Sequence, residues 1–329
     1  MPTFRWILAL DVGGTGMSAA VFREDGGSPV ARVSVPTPVG QGVDGVVDAA
    51  ANLLRLVRAR AEEEGVPARR IVGVGAGFPG TVDPERGVVR QAPNLRWRDV
   101  AVRDLLQERT ELPVVVDNDA NCAVLGEWWE GSGRGSRFLV AVTLGTGIGG
   151  GILDDGRILR GASGAAGEIG HISIDYQGRR CVCGNRGCLE AYCAGPAIAL
   201  RARERLSDGG ASSLTDMSQG NPERITAAIV TDAAREGDPL ALEVITETGE
   251  LLGAGIASLV NLLNPDRIVF TGGVAGAGDL LLRPLREEVR RRAFRDSAEA
   301  CVLTVSREPE LAGLRGAAVA FRRETLEGW

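Results

Sequence analysis

The one histidine of this 329-residue chain, His171, is followed by Cys181, Cys183 and Cys188. One imidazole and three thiolates complete a tetrahedral shell, the closed donor set that zinc takes where its task is structural. Four protein donors leave no open position for water or phosphate, so a metal held here would not serve as a Lewis acid. Glu168 lies three residues before His171, and Glu190 lies two residues after Cys188. A carboxylate so placed can bind a polar ligand, whereas an unselected glutamate is usually only a solvated surface charge. Placement on a metal-pinned loop favours the binding reading, since a preformed site loses less entropy when its ligand arrives. Cys122, Cys193 and Cys301 lie far apart in apolar or helical stretches and read as small buried hydrophobes. The six cysteines therefore suit a metal site and a reducing compartment better than a disulfide framework.

Two further patterns suit phosphate. Asp11-Val12-Gly13-Gly14-Thr15 and Gly145-Thr146-Gly147 each form a turn of glycine and threonine between two short apolar strands. Such turns bring backbone N–H groups and a hydroxyl close to phosphate oxygens, because no Cβ blocks the approach. Either turn alone is as readily a plain hairpin; the pair, about 130 residues apart, suggests a duplicated unit. Thr271-Gly272-Gly273 supplies a third glycine turn at the end of a strand, a platform for the adenosine half of a nucleotide. A Walker-type loop is absent, and all 37 basic residues are arginine. Schiff-base chemistry and a phosphate-binding lysine are therefore excluded.

A general base for an alcohol needs a carboxylate where strand ends meet an opening. Asp119 follows the apolar run Val114–Val116 and heads an expected helix over Ala120–Glu130, so it is the candidate. On the residues alone the better reading is that Asp117, Asn118 or Asp119 merely caps that helix.

The elements that must hold these residues alternate between strand and helix, which predicts an α/β protein. Apolar runs place strands at Ile7–Leu10, Met17–Phe22, Ile71–Ala76, Phe138–Leu144, Ile148–Leu153 and Arg267–Phe270. Helical periodicity covers about Val43–Glu64 and Pro239–Leu263, and Leu311–Phe321 reads as a closely packed helix returning to the first lobe. Asp208–Asn221, rich in Ser, Gly and Asp, is expected as a mobile surface loop, and Trp128 and Trp129 as buried in the core or at a subunit contact. With 44% apolar residues and no apolar run of membrane-spanning length, the chain reads as cytoplasmic. A net charge of −6 offers nothing to a nucleic-acid backbone.

These motifs, with Gly77-Phe78-Pro79-Gly80, Ala92-Pro93-Asn94-Leu95 and Asn118-Asp119-Ala120-Asn121, stand in the order found in the ROK family of sugar kinases and repressors. Over essentially its whole length the chain resembles that family, above all its bacterial glucokinases with their C-x-C-G-x-x-G-C-x-E signature. The resemblance implies a two-lobed, ribonuclease-H-like (actin-like ATPase) α/β fold with an interdomain active-site cleft. Residues 1–117 with the helix at 311–329 would make the small domain, and 118–310 the large one. It implies transfer of the γ-phosphate of ATP to the 6-hydroxyl of glucose, with Asp119 as general base. Asn94, Asn118, Asp119, Glu168, His171 and Glu190 would bind the hexose. Asp11, Gly13, Gly14, Thr15, Gly145, Thr146, Gly147, Gly272 and Gly273 would bind ATP with Mg2+. His171, Cys181, Cys183 and Cys188 would hold structural Zn2+, with His171 either a plain ligand or a ligand that also reaches the sugar. A dimer or tetramer is implied as well. Many relatives have Lys where this chain has Gly16, so any charge from that side chain is lost. The alternatives are kinases for N-acetylmannosamine, N-acetylglucosamine, fructose or mannose, and a non-catalytic sugar-sensing module. ROK repressors carry a DNA-binding segment ahead of the first hairpin; only ten residues precede Asp11, so an enzyme is expected.

Overall fold

The computed structural model describes residues 4–327. It divides into two compact units, Met1–Gly135 with Gly151–Ala166 and Arg307–Trp329, and Ser136–Gly150 with Gly167–Ser306.

The first unit is built on a five-stranded sheet of order β3-β2-β1-β4-β8. Its strands are β1 (Trp6–Val12), β2 (Gly16–Arg23), β3 (Ala31–Pro36), β4 (Ile71–Phe78) and β8 (Val114–Asn118). A three-stranded antiparallel sheet of β5 (Thr81–Asp83), β6 (Val88–Ala92) and β7 (Trp97–Val100) joins β4 to β8 along the chain. Strands β1, β4 and β8 are parallel, and β1 to β3 form an antiparallel meander. Ile7, Leu8, Ala9 and Leu10 are all buried, a continuous apolar run expected of a strand covered on both faces. Leu8, Leu10, Met17 and Val116 pack with Val46, Val47, Ala50, Leu54 and Val57, the apolar stripe of helix Gly42–Glu63. On the opposite face, Ile7, Ala9, Phe22 and Val115 pack with Leu314, Ala317 and Phe321 of helix Pro309–Phe321.

Helix Asp119–Trp129 belongs to this unit, whose first segment runs to Gly135. The cause is its seat against helix Pro309–Phe321. A Cβ at Gly126 would lie 2.9 Å from the Gly316 nitrogen, and one at Gly316 would lie 2.7 Å from Cys122 Cα. Glycine at both crossing points lets the two backbones touch. Trp128 and Trp129 are half-buried, with the Arg323 and Arg322 guanidinium groups 4.5 Å and 5.6 Å from their ring centres.

The second sheet repeats the arrangement, with order β11-β10-β9-β12-β13. Its strands are β9 (Phe138–Leu144), β10 (Ile148–Asp154), β11 (Arg157–Ile158), β12 (Arg267–Thr271) and β13 (Val302–Val305); β9, β12 and β13 are parallel, and the chain leaves the second unit along β10. Helix Pro239–Leu263 starts where Asp238 Oδ1 accepts the Ala241 N–H at 2.9 Å, has proline at its first position, and stops at Asn264 in the left-handed region. The segment Asp208–Asn221 is less loose than its composition suggests. It contains a short helix, Leu214–Met217, with Leu214 buried and Asp238 Oδ2 accepting from Ser212 Oγ at 2.9 Å and the Ser213 N–H at 2.7 Å. Among the described residues no helix is long and apolar enough to cross a membrane.

Candidate functional site

In the first unit the turn between β1 and β2 closes through the Gly13 N–H to Gly16 O at 2.8 Å. Thr37 braces it from the side: its Oγ1 donates to Gly13 O at 2.7 Å and its N–H to Thr15 O at 3.1 Å. Asp11 sits at the end of β1, opposite Gly77 of β4. Helix Pro309–Phe321 passes so close that a Cβ at Gly313 would lie 2.5 Å from Asp11 Oδ2. Burial pushes the Asp11 carboxyl up to about 6, against the opposing pull of Arg32. Asn94, exposed in a single 3-10 turn Pro93–Leu95, faces the same hairpin, and a Cβ at Gly14 would lie 3.0 Å from Asn94 Cβ.

The end of β8 is tied in three ways. Asp117, 2% exposed, accepts both arms of the Arg160 guanidinium at 2.7 Å each, the Asn118 N–H at 2.7 Å and Asn121 Nδ2 at 3.1 Å. Asn118 is the helix cap: its Oδ1 accepts the Ala120 and Asn121 N–H groups at 2.9 Å and 3.0 Å, and its Nδ2 donates to Gly80 O at 2.8 Å. One Nδ2 hydrogen is then left for a ligand. Asp119 is the first residue of the helix, partly exposed, with Oδ1 accepting its neighbour's Ala120 N–H at 2.8 Å.

In the second unit Glu190 joins two of the expected features. Its Oε2 accepts the Ile148 N–H at 2.9 Å, and a Cβ at Gly147 would lie 2.6 Å from that oxygen. Its Oε1 lies 3.8 Å from Cys181 Sγ. The turn Gly145–Gly147 closes through the Gly145 N–H to Gly147 O at 3.0 Å, and Thr143 Oγ1 accepts the Gly149 N–H at 3.1 Å. Gly272, with φ +89°, lies so near the Leu144 backbone that a Cβ would come within 2.9 Å of its carbonyl carbon. The second and third glycine turns are thus neighbours.

The loop between Glu168 and Glu190 folds back on itself through the Ile174 N–H to Gly187 O at 2.8 Å and the Leu189 N–H to Ile172 O at 2.9 Å. This gathers His171, Cys181, Cys183 and Cys188, whose donor atoms all lie within 4.8 Å of one another. Cys181 Sγ is 3.7 Å from His171 Nδ1, and Cys183 Sγ is 3.7 Å from Cys188 Sγ. A zinc–sulfur bond of about 2.3 Å gives a tetrahedral edge of about 3.8 Å, so the donors fit zinc in type and in spacing. Burial pushes the Cys181 thiol up to about 12 and raises Cys188, while the Asn185 backbone N–H lowers Cys183. A dication would bind the thiolates and release their protons. With Nδ1 facing the cysteines, His171 Nε2 points to the other side, 3.9 Å from Glu168 Oε2.

The residues singled out in the sequence therefore fall into two sets. Asp11, Gly13, Gly14, Thr15, Asn94, Asn118 and Asp119 lie in the first unit; Gly145, Thr146, Gly147, Glu168, His171, the three cysteines, Glu190, Gly272 and Gly273 lie in the second. The Asp117–Arg160 pair, the Thr37 brace and the Gly313 notch were missed. An isolated arginine 43 residues from its partner gives no local signal.

The ROK family model matches residues 7–324. The glucokinase of Halalkalibacterium halodurans is 38% identical over 313 residues, 94% of this chain and 93% of that one. The glucokinase of Thermotoga maritima is 39% identical over 290 residues, 88% of each. A ROK family glucokinase from Streptomyces griseus, solved in complex with glucose and AMPPNP, superposes with a TM-score of 0.85 at 34% identity, over 96% of this chain and 98% of that one. The mixed α/β architecture is the actin-like ATPase fold of the ROK sugar kinases. With the family model spanning both glycine hairpins and the Cys3His loop, the chain belongs to the ROK family.

Proposed function

We propose that the chain is an ATP-dependent glucokinase, transferring the γ-phosphate of ATP to the 6-hydroxyl of glucose. The observation that carries this reading is the position of Glu190, hydrogen-bonded to the Ile148 N–H of the second hairpin and touching the Cys3His cluster. Carboxylates suited to a polyol and a backbone turn suited to phosphate are built as one piece. The likeness to a ROK glucokinase holding glucose and AMPPNP supports both ligands.

Asp119 accepts the proton of the 6-hydroxyl as that oxygen bonds to the γ-phosphorus. The bond from the γ-phosphorus to the bridging oxygen breaks, and ADP leaves with the electron pair. Asn94, Glu168 and Glu190 orient the sugar hydroxyls, the one remaining Asn118 amide hydrogen adds a donor, and His171 Nε2 reaches a hydroxyl while Nδ1 faces the metal site. With the Gly13 and Gly145 amides closing their turns, those of Gly14, Thr15, Thr146 and Gly147 hold phosphate oxygens, and Gly272 and Gly273 the adenosine side. Mg2+ bound with ATP would supply neutralisation of phosphate charge, and Asp11 is the residue that would help to hold it. Zinc bound by His171, Cys181, Cys183 and Cys188 would keep the sugar loop in shape. The ATP requirement and the thiol donors suit the cytoplasm, and a homo-oligomer is the assembly proposed.

A coupled ADP-release assay over glucose, mannose, fructose, N-acetylglucosamine and N-acetylmannosamine tests the substrate. Glucose should give the highest kcat/KM; turnover of none of them would overturn the reading. Asp119→Asn should lower kcat by about 100-fold to 10,000-fold while glucose still binds; near-normal turnover would remove Asp119 from its role.

A further inference from the structure

Asp117 of the Asp117–Arg160 pair lies two residues before the proposed base, and the pair has no place in the chemistry above. We infer that Arg160 is a positioning residue for phosphoryl transfer, acting on Asp119 through Asp117. This rests on the reading of Asp119 as general base.

The two arms of the guanidinium meet the two Asp117 oxygens at 2.7 Å each, a planar fork that fixes direction as well as distance. Among the described residues, the other hydrogen bonds of that carboxylate go to the turn that carries Asp119. Asp117 Oδ1 accepts the Asn118 N–H at 2.7 Å and Asn121 Nδ2 at 3.1 Å. Asp117 is thus a tie between Arg160 and the first turn of helix Asp119–Trp129. The arginine is anchored at its own end too, since its carbonyl accepts the Ala166 N–H at 3.0 Å and closes the loop that runs on into Glu168. The Asp117 side chain is 3% exposed, whereas that of Arg160 is 36% exposed. A change at the arginine therefore leaves the apolar core untouched. Arg160 touches no reacting atom in this scheme; it sets where Asp119 stands.

The test uses Arg160→Lys, the paired variant Asp117→Leu/Arg160→Met, and Asp119→Asn as reference, each measured for Tm, glucose Kd, glucose KM and kcat. A lysine keeps the charge but cannot supply the fork, and the paired variant removes both charges without leaving one buried alone. For Arg160→Lys, kcat is expected to fall about 10-fold to 100-fold, the scale of a sub-ångström to 1 Å misplacement. Glucose Kd and Tm should stay near wild type. The paired variant strands the Asn118 N–H and Asn121 Nδ2, so it should fold with a lowered Tm and keep the low kcat. Native kcat in the paired variant would overturn the proposal, because the pair would then be structural only. Should the paired variant not fold, Arg160→Lys decides: native kcat overturns the inference, and reduced kcat at native Tm and Kd supports it. Near-native turnover in Asp119→Asn would sink the base reading and this role with it. An inactive Asp119→Asn beside a fully active paired variant would sink the Arg160 role alone.

Discussion

Gly316→Ala tests the packing that holds the proposed base in place. In a helix interior this change should stabilise by about 1 kcal/mol, because alanine is the better helix former. The structure opposes that gain. The new methyl carbon would lie 2.7 Å from Cys122 Cα and closer still to the Cys122 carbonyl, and ordinary contact begins near 3.4 Å. Both obstacles are backbone, so no side-chain rotation relieves them; the two helices must part by about 1.5–2 Å. Overpacking of this kind costs about 1–3 kcal/mol and occasionally more, and with rigid obstacles the upper end applies. The net loss is about 2 kcal/mol, which for a unit of about 170 residues lowers Tm by about 4–8 °C. Cys122 lies three residues after Asp119 on the same helix, so kcat should fall alongside. Thermal unfolding by circular dichroism and steady-state kinetics read the two effects. Gly276→Ala serves as the control for stability, since its added methyl meets nothing within 4 Å. A Gly316→Ala protein with unchanged or raised Tm would refute the packing argument.

Chelation, or His171→Ala, should lower Tm and raise glucose KM together, because the metal donors and the sugar carboxylates share one loop; a Tm change with unaltered KM would make the metal structural alone. Asp11 is held at about 6 against an ordinary 3.8, so the fold disfavours its ionised form. That cost is full above pH 6, fades as pH falls through 6, and vanishes below about 4 where both states are protonated. Asp11→Asn should therefore stabilise by roughly 2–3 kcal/mol at pH 8 and not at pH 4, read by urea unfolding; an equal gain at both pH values would contradict it. Gly147→Ala places a methyl 2.6 Å from Glu190 Oε2 and should raise KM for glucose and ATP in parallel; a rise confined to one substrate would show that Glu190 does not link the two.

Much of this was legible in local pattern. Helix Pro239–Leu263 is bounded by Asp238, Pro239 and Asn264, all signals that act within one turn, and the structure follows them. The candidate metal donors were legible because one histidine and three cysteines within eighteen positions have few other uses. What escaped depends on distant partners. Nothing beside Asn118 tells whether it caps a helix or meets a ligand, and its Oδ1 proves to be taken by two backbone amides. The seat of helix Asp119–Trp129 is set by Gly126 meeting Gly316, glycines 190 residues apart whose pairing no local window can see. The serine-rich stretch Asp208–Asn221 reads as loose because its anchor, Asp238, lies beyond it.

The split make-up of the first unit also sets an order of events during synthesis. Helix Pro309–Phe321 covers the sheet face formed by Ile7, Ala9, Phe22 and Val115, yet it is translated roughly 190 residues after helix Asp119–Trp129. At about 5–20 residues per second that interval lasts about 10–40 s. Through it the second unit can complete itself while the earlier sheet waits with one apolar side bare. The yield of active protein from a cell should therefore respond to chaperone supply and translation rate more than to the stability of the finished fold.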